Sequence, residues 1–295
     1  MKPILYGSIA AWWNDLPATI NMITGLGFIF SSQSAWSKIV RWALMPVLKR
    51  LFRATNSYVI FQNKQDYDEL CDADVVARAR AAVIRGSGVD IERFFPRPEP
   101  DGQPVVLMAS RMLWSKGVGD FVEAAKLLKN RRSLRCVLVG ILDKENPDGV
   151  PEETLLEWDR QGIIEWWGER KDMDNVINNS HVVVLPTYYG EGLPKILLEA
   201  AACGRPLVAT AVRGCLEIVR PEKNGFLVPP KDPPALAHAI EMLVGDPSLR
   251  ALFGNQGREI VVQEFSSAKI VEETLAVYKN LLDRPSTVNS QPFLV

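Results

Sequence analysis

The chain has 295 residues, 47% of them apolar, with mean hydropathy near zero, enough for about two domains of roughly 150 residues with sizeable cores. Its 34 basic and 35 acidic residues leave a formal charge of −1, which argues against a dedicated nucleic-acid binder with its strong basic excess. Four cysteines without a CxxC pair fit a reducing cytoplasm, and two histidines nearly exclude a His-rich metal site.

In chain order, the charge is unevenly spread. Between Met1 and Lys64 seven basic residues stand against Asp15 alone, an asymmetry that prompts a search for a membrane or anionic partner there. No signal peptide is apparent, because Lys2 is followed by no clear apolar stretch. The uncharged run Leu16–Ser37 contains Asn21, Gly25, Gly27 and a cluster of serines, so it reads as a soluble strand and loop rather than a transmembrane helix. The segment Trp36–Arg53 is basic, aromatic and acid-free. It suits either a helix lying on an anionic membrane surface or a domain helix packed on a sheet, with Pro46 kinking both.

Strands are expected at "ATINMIT", "SYVIFQN" and "AAVIRGSGVD", a poorer set than the rest of the chain provides. The segment "RPEPDGQP", Arg97–Pro104, reads as the domain boundary. Beyond it, short β-branched apolar runs recur at Val105–Ser110, Cys136–Ile141, Ile163–Gly168, His181–Thr187, Pro206–Thr210 and Gly225–Pro230. Helical patterns such as Val118–Asn130 separate most of them, which predicts an α/β fold with a parallel, doubly wound sheet buried on both faces. Asp232-Pro233 and Asp246-Pro247 mark helix starts, with an N-cap acid before a proline at N1. A last amphipathic helix covers Ser266–Asp283, and the aperiodic tail from Arg284 is expected to be flexible. The expected division is therefore 1–96, 104–265, a helix at 266–283 returning toward the first domain, and the tail 284–295.

Ligands of open parallel sheets lie beyond the strands' carboxyl ends. There "SRMLWSKG" puts Arg111 and Lys116 in one loop, and "PTYYGEGLPK" puts Glu191, Gly192 and Leu193 at a helix mouth. Free backbone N–H groups and the helix dipole favour a phosphate at such a mouth, while Pro194 removes one donor and fixes the turn. The dipole contributes about 0.3–1 kcal/mol to an anion, against roughly 1.5–3 for each charge-assisted hydrogen bond. Arg111 and Lys116 therefore dominate phosphate binding. Carboxylates beside phosphates make sense if they accept from hydroxyls, which suits Glu191 and Glu199 to a sugar or a ribose diol. From spacing alone the paired acids equally fit an acid at a helix start and a solvated acid within the helix.

Arg111-x4-Lys116 and Glu191-x7-Glu199 in "EGLPKILLEAAACGRPLVAT", with "GSGVDIERFFP", "GCLEIV" and "NGFLVPPKDPPALAHAI" around them, resemble the retaining glycosyltransferases of family 4. Within that family the chain is similar to bacterial enzymes of surface-polysaccharide assembly, and the resemblance runs from about Lys2 to Leu282. It implies the GT-B fold, two Rossmann-like domains of which the second binds a nucleotide-sugar donor. It also implies that Arg111 and Lys116 grip the diphosphate, Glu191 meets the transferred sugar and Glu199 the ribose. Amides near Gly192 and Leu193 would contact phosphate or sugar, and the loop Gly168–Arg170, Glu169 included, would hold the base. Trp166 and Trp167 point to opposite strand faces, so at most one flanks that base. No cofactor or metal is expected, because the basic pair stabilises the leaving group.

The resemblance implies a nucleotide diphosphate sugar (a UDP-sugar favoured) and a glycan or polyprenyl-linked acceptor as partners, and no nucleic acid. The protein would be cytoplasmic, with peripheral membrane contact through residues 36–53 at the inner face of the plasma membrane. Three departures stand out. "MKPILYGSIAAWW" resembles the middle of the N-terminal domain, leaving that domain incomplete. Ile23 or Thr24 stands where some members carry a histidine, and His181 stands where an acid is common. Acceptor binding belongs mostly to the N-terminal domain, so a non-catalytic nucleotide-sugar-binding remnant is the alternative expectation. His238 reads as a surface or packing residue.

Overall fold

The computed structural model describes residues 2–16, 18–26, 35–54, 57–129, 133–188 and 191–283. Its contacts divide the chain into two units. One runs to Gly86 and resumes at Ala268, and the other is Ser87–Ser267. The tail 284–295 lies outside the described residues.

The first unit contains helix α1 (Lys2–Trp13), strand β1 (Thr19–Ile23), helix α2 (Ala35–Ala54), β2 (Ser57–Phe61), α3 (Lys64–Asp72) and β3 (Ala81–Val83). The three strands are parallel in the order β1-β2-β3. On one face Ile23, Val59 and Phe61 bury against Leu48 and Phe52 of α2 and Leu70 of α3. On the other, Ile20, Tyr58, Ile60 and Ile84 meet Ile270 and Val277 of the last helix, α11 (Ser267–Leu282). The run read as strand and loop gives β1, and among the described residues no helix is long and apolar enough to cross a membrane. The helix at Lys2–Trp13 was not legible, because its apolar residues carry no one-sided period; Tyr6, Trp12 and Trp13 are exposed.

The second unit holds β4 (Val105–Ala109), α4 (Val118–Lys129), β5 (Arg135–Val139), α5 (Glu152–Arg160), β6 (Glu165–Trp166), α6 (Met173–Asn178) and β7 (Val182–Leu185). It continues with α7 (Lys195–Ala202), β8 (Leu207–Thr210), α8 (Cys215–Ile218), β9 (Gly225–Val228), α9 (Pro233–Gly245) and α10 (Pro247–Glu264). All six strands are parallel, in the order β6-β5-β4-β7-β8-β9. The uninterrupted apolar character of the central strands β4 and β7 follows from burial on both faces, whereas edge strand β6 is the half-buried pair Glu165–Trp166. Val105, Leu107, Val137, Val139, Val183 and Leu207 enter one core cluster, and Val106, Met108, Leu138, Val184 and Val208 the other.

Segment Arg97–Pro104 lies inside this second unit. The Arg97 guanidinium donates to Asn175 Oδ1 at 2.8 Å, and Arg250 donates to Glu99 at 2.8 and 2.9 Å. The contact boundary accordingly falls at Gly86/Ser87, before the proline-rich stretch. The caps read from sequence hold: Asp232 accepts from Ala235 N and Asp246 from Leu249 N, each at 2.9 Å. His181 fastens the amino-terminal ends of the central strands β4 and β7. Its Nδ1 accepts from Val105 N at 3.0 Å and its Nε2 faces Pro100 O at 3.1 Å, which fixes the neutral ring with Nε2 protonated. Burial pulls its pKa below the ordinary histidine value. All four cysteines are buried and free.

Candidate functional site

Strand β4 lies between β5 and β7, so successive crossovers leave it in opposite directions. Such a switch point opens a crevice at the carboxyl ends of the strands. A cavity of about 400 Å³ occupies it, lined from four loops. Arg111 and Lys116 come from the loop after β4, Glu169 and Arg170 from the loop after β6, and Glu191, Leu193, Lys195 and Glu199 from the loop after β7 and helix α7. Residues eighty apart in sequence thus share one cavity.

The turn that carries Lys116 is a 3-10 turn, Trp114–Lys116, closed by Gly117 at φ 80°. A Cβ on Gly117 would lie 2.1 Å from the Pro186 carbonyl oxygen, so only glycine permits this approach of the β4 loop to the β7 loop. Lys116 Nζ is thereby brought into an ion pair with Glu191 Oε1, with both side chains more than four-fifths buried. Arg111 stays exposed, its Nη1 donating to Asp143 Oδ2 at 3.1 Å. Gly192 is backed by Gly214, at φ 81°, whose Cβ would stand 2.4 Å from Gly192 O. The close packing sets the entry to α7, whose N-cap position is Pro194 at φ −67°.

Glu199 projects from α7 into the cavity. Burial raises its pKa above the ordinary glutamate value, opposed by the charges of Lys195 and Arg93. Lys195 stands one turn before it and is exposed, so it adds a cation to the rim. The spacing Lys195-x3-Glu199 is a readable i,i+4 pair, a signal that the sequence reading did not take up. Cations at 111, 116, 170 and 195 and acids at 169, 191 and 199 line the cavity together. That mixture accepts a polyanion bearing hydroxyls better than it accepts either alone.

Of the residues singled out from sequence, Arg111, Lys116, Glu169, Glu191, Leu193 and Glu199 line this one cavity. Gly168 and Gly192 are not among the lining residues. Gly168, at φ 66°, accepts from Gly140 N at 2.8 Å through its carbonyl. The two tryptophans do face opposite sides, Trp166 packing on one core and Trp167 on the other, and neither lines the cavity. Arg170 instead lies over the Trp167 ring at 6.0 Å. The sequence reading missed Ser115, Asp143, Asp148 and Thr187, which hold the lining residues rather than form the lining.

The profile of the family described as glycosyl transferases group 1 matches residues 90–260. Among characterised relatives, the chain is 28% identical over 294 residues to the N,N'-diacetylbacillosaminyl-diphospho-undecaprenol alpha-1,3-N-acetylgalactosaminyltransferase of Campylobacter jejuni, covering 95% of this chain and 75% of that one. It is 24% identical over 293 residues to an Escherichia coli enzyme named UDP-Gal:alpha-D-GlcNAc-diphosphoundecaprenol alpha-1,3-galactosyltransferase, covering 95% and 74%. It spans less of others, 46% of the Staphylococcus aureus capsular polysaccharide glycosyltransferase CapM at 30% identity. Among solved structures, Anabaena HepE in complex with UDP superposes with a TM-score of 0.79 at 21% identity, over 95% of this chain and 76% of that one. Sucrose-phosphate synthase from Thermosynechococcus elongatus gives 0.75 at 26%, over 89% and 67%. More than half of the chain, with both cations and both glutamates inside the matched stretch, carries the family pattern on this architecture: the chain belongs to the group 1 glycosyl transferases, family 4, and has the GT-B fold.

Proposed function

We propose that this chain is a retaining glycosyltransferase. It moves a sugar from a nucleoside-diphosphate donor, a UDP-sugar, to a glycan or lipid-linked acceptor in the assembly of a surface polysaccharide. The observation that carries the reading is the convergence of Arg111, Lys116, Glu191 and Glu199 on one cavity at the sheet's switch point. The diphosphate lies against Arg111 and Lys116, the sugar hydroxyls against Glu191, and the ribose diol against Glu199. Backbone near Gly192 and Leu193 meets phosphate or sugar, and the Gly168–Arg170 loop takes the base. The names of the Campylobacter and Escherichia relatives, both acting on undecaprenyl-diphosphate-linked sugars, support a polyprenyl-linked acceptor.

Front-face transfer asks for stabilisation of negative charge on the departing nucleoside diphosphate. Fixed cations in a partly desolvated cavity supply it without reorganising. Lys116 is held by Glu191 before any donor arrives, so its ammonium is already oriented. Glu191 also places an acceptor beside the sugar, where hydroxyls replace part of what Lys116 gives it.

A donor screen of UDP-hexoses and UDP-N-acetylhexosamines against a polyprenyl-diphosphate-linked acceptor tests the reading. Lys116→Ala is expected to cut transfer by about 10²- to 10³-fold, the scale for one key stabilising contact. Unchanged turnover in that variant rejects the role given to Lys116. Donor binding without transfer or hydrolysis in the wild type favours a nucleotide-sugar-binding protein instead.

A further inference from the structure

Ser115, immediately before Lys116, joins three loops at one point. Its backbone N–H donates to Asp148 Oδ2 at 3.0 Å, and its hydroxyl donates to the same oxygen. Its carbonyl accepts from Thr187 Oγ1 and from Tyr188 N, both at 3.1 Å. Asp148 belongs to the loop after β5, and Thr187 and Tyr188 to the loop after β7. The Thr187 hydroxyl also stands 3.4 Å from Glu191 Oε1, the oxygen paired with Lys116, and the Thr187 carbonyl accepts from the Thr210 hydroxyl of β8.

The β5 loop is fastened along its length. Trp114 N donates to Asp148 O at 2.9 Å, Met112 N to Ile141 O at 3.0 Å, and Val150 N to Met112 O at 2.9 Å. Asn146 supports it from within, its Nδ2 donating to Asp143 Oδ2 at 3.2 Å and its Oδ1 accepting from Asp148 N at 3.0 Å. Asp143 in turn reaches Arg111. Neither Ser115 nor Asp148 lines the cavity.

We propose that Asp148 and Ser115 are positioning residues of the donor site, a clasp from the β5 loop that fixes the Lys116 turn against Glu191 so that the ammonium meets a diphosphate. The proposal rests on the donor-site reading above. Its physical basis is that a charged acceptor taking two donors from one residue is a stiff anchor. A displacement of about 1 Å in a charge-stabilising group costs up to roughly 10²-fold. The clasp acts on the diphosphate contact and leaves the nucleoside contacts alone, because Glu199 and the Gly168–Arg170 loop are attached to other elements.

The test compares UDP with uridine on the full-length chain by titration calorimetry, for wild type, Lys116→Ala, Asp148→Ala, Asp148→Asn and Ser115→Ala, with melting curves for each. Wild type should prefer UDP strongly, and Lys116→Ala should lose about 10-fold or more of that preference, the size of one charge-assisted hydrogen bond. Asp148→Ala should lose a similar share while binding uridine as wild type does. Asp148→Asn keeps an acceptor oxygen and should stay within a few-fold of wild type, with Ser115→Ala between the two. An unchanged UDP-to-uridine ratio in folded Asp148→Ala and Ser115→Ala overturns the clasp. Parallel loss of both ligands with a lowered melting point also overturns it, as the mark of a purely structural role. If Asp148→Ala does not fold, the ratio in Ser115→Ala decides alone. Should wild type itself fail to prefer UDP, the donor-site reading falls and the clasp with it.

Discussion

Glu199 is held at odds with its surroundings. Burial raises its pKa, and the nearby charges of Lys195 and Arg93 offset only part of the effect. The sign follows from linkage. A carboxyl whose folded pKa lies above its unfolded value favours the fold fully below the unfolded value of about 4.5, and that contribution is lost as pH rises through the folded value. At neutral pH Glu199 therefore weakens the fold. Glu199→Gln should raise the melting temperature at pH 7 by a few degrees at most, since about 1 kcal/mol moves a domain of this size by roughly 2–4 °C. At pH 4 the gain should vanish, and the variant should bind UDP about tenfold less tightly for want of a charged acceptor at the ribose. Melting curves at both pH values with a UDP titration check this; a melting temperature unchanged or lowered at pH 7 contradicts the assignment. A residue kept against stability is a common mark of a functional site. The identity and spacing of Glu191 and Glu199 were legible in the sequence. The clasp residues were not, because serine, threonine and aspartate in loops are ordinary until a fold brings them together.

Among elements, α2 shows what periodicity leaves open. Its segment suited both a packed helix and a membrane-surface helix, and in the structure one side of it packs on the sheet. Leu48, Leu51 and Phe52 are buried, while Ile39, Trp42 and Val47 are exposed, Trp42 at 80%. Lys38, Arg50 and Arg53 share the exposed side, and the helix contains no acid. Lys49 and Arg53 are paired with Asp74. Exposed apolar side chains interspersed with cations suit the headgroup region of an anionic bilayer. We therefore extend the proposal to peripheral membrane contact through this face. Sedimentation with vesicles containing phosphatidylglycerol should show binding that weakens with salt. The double change Lys38→Glu and Arg50→Glu should weaken it by about 30-fold or more, since each basic residue near such a surface contributes about 1 kcal/mol and the two new acids are repelled. Equal binding to neutral vesicles would contradict the electrostatic part.

At the scale of the whole molecule, the second unit closes on itself. The chain enters and leaves it side by side, with Val89 N donating to Phe265 O and Ser267 N to Val89 O, each at 2.9 Å. Gly88, at φ 69°, permits this approach, because a Cβ there would stand 2.8 Å from Ser267 Cα. The unit has its own two-faced core and holds every residue assigned to the donor. Residues 87–267 alone should therefore melt cooperatively and retain UDP binding. Loss of binding in the folded fragment would place part of the donor site in the other unit.

By itself the sequence determined the parallel sheet of the second unit through its central strands, because residues buried on both faces are apolar at every position. It also determined the capped helices and the types of charge available for a polyanionic ligand. Tertiary structure alone decided that the cations at 111 and 116 meet the acids at 191 and 199 in one cavity. It also decided that Gly214 packs against Gly192 and that Asp148 reaches Ser115. Those contacts depend on strand order, with β4 beside both β5 and β7, and on approaches such as Gly117 to Pro186. Local pattern records how each element is buried; which loops meet at the carboxyl edge follows from the order in which the strands pair.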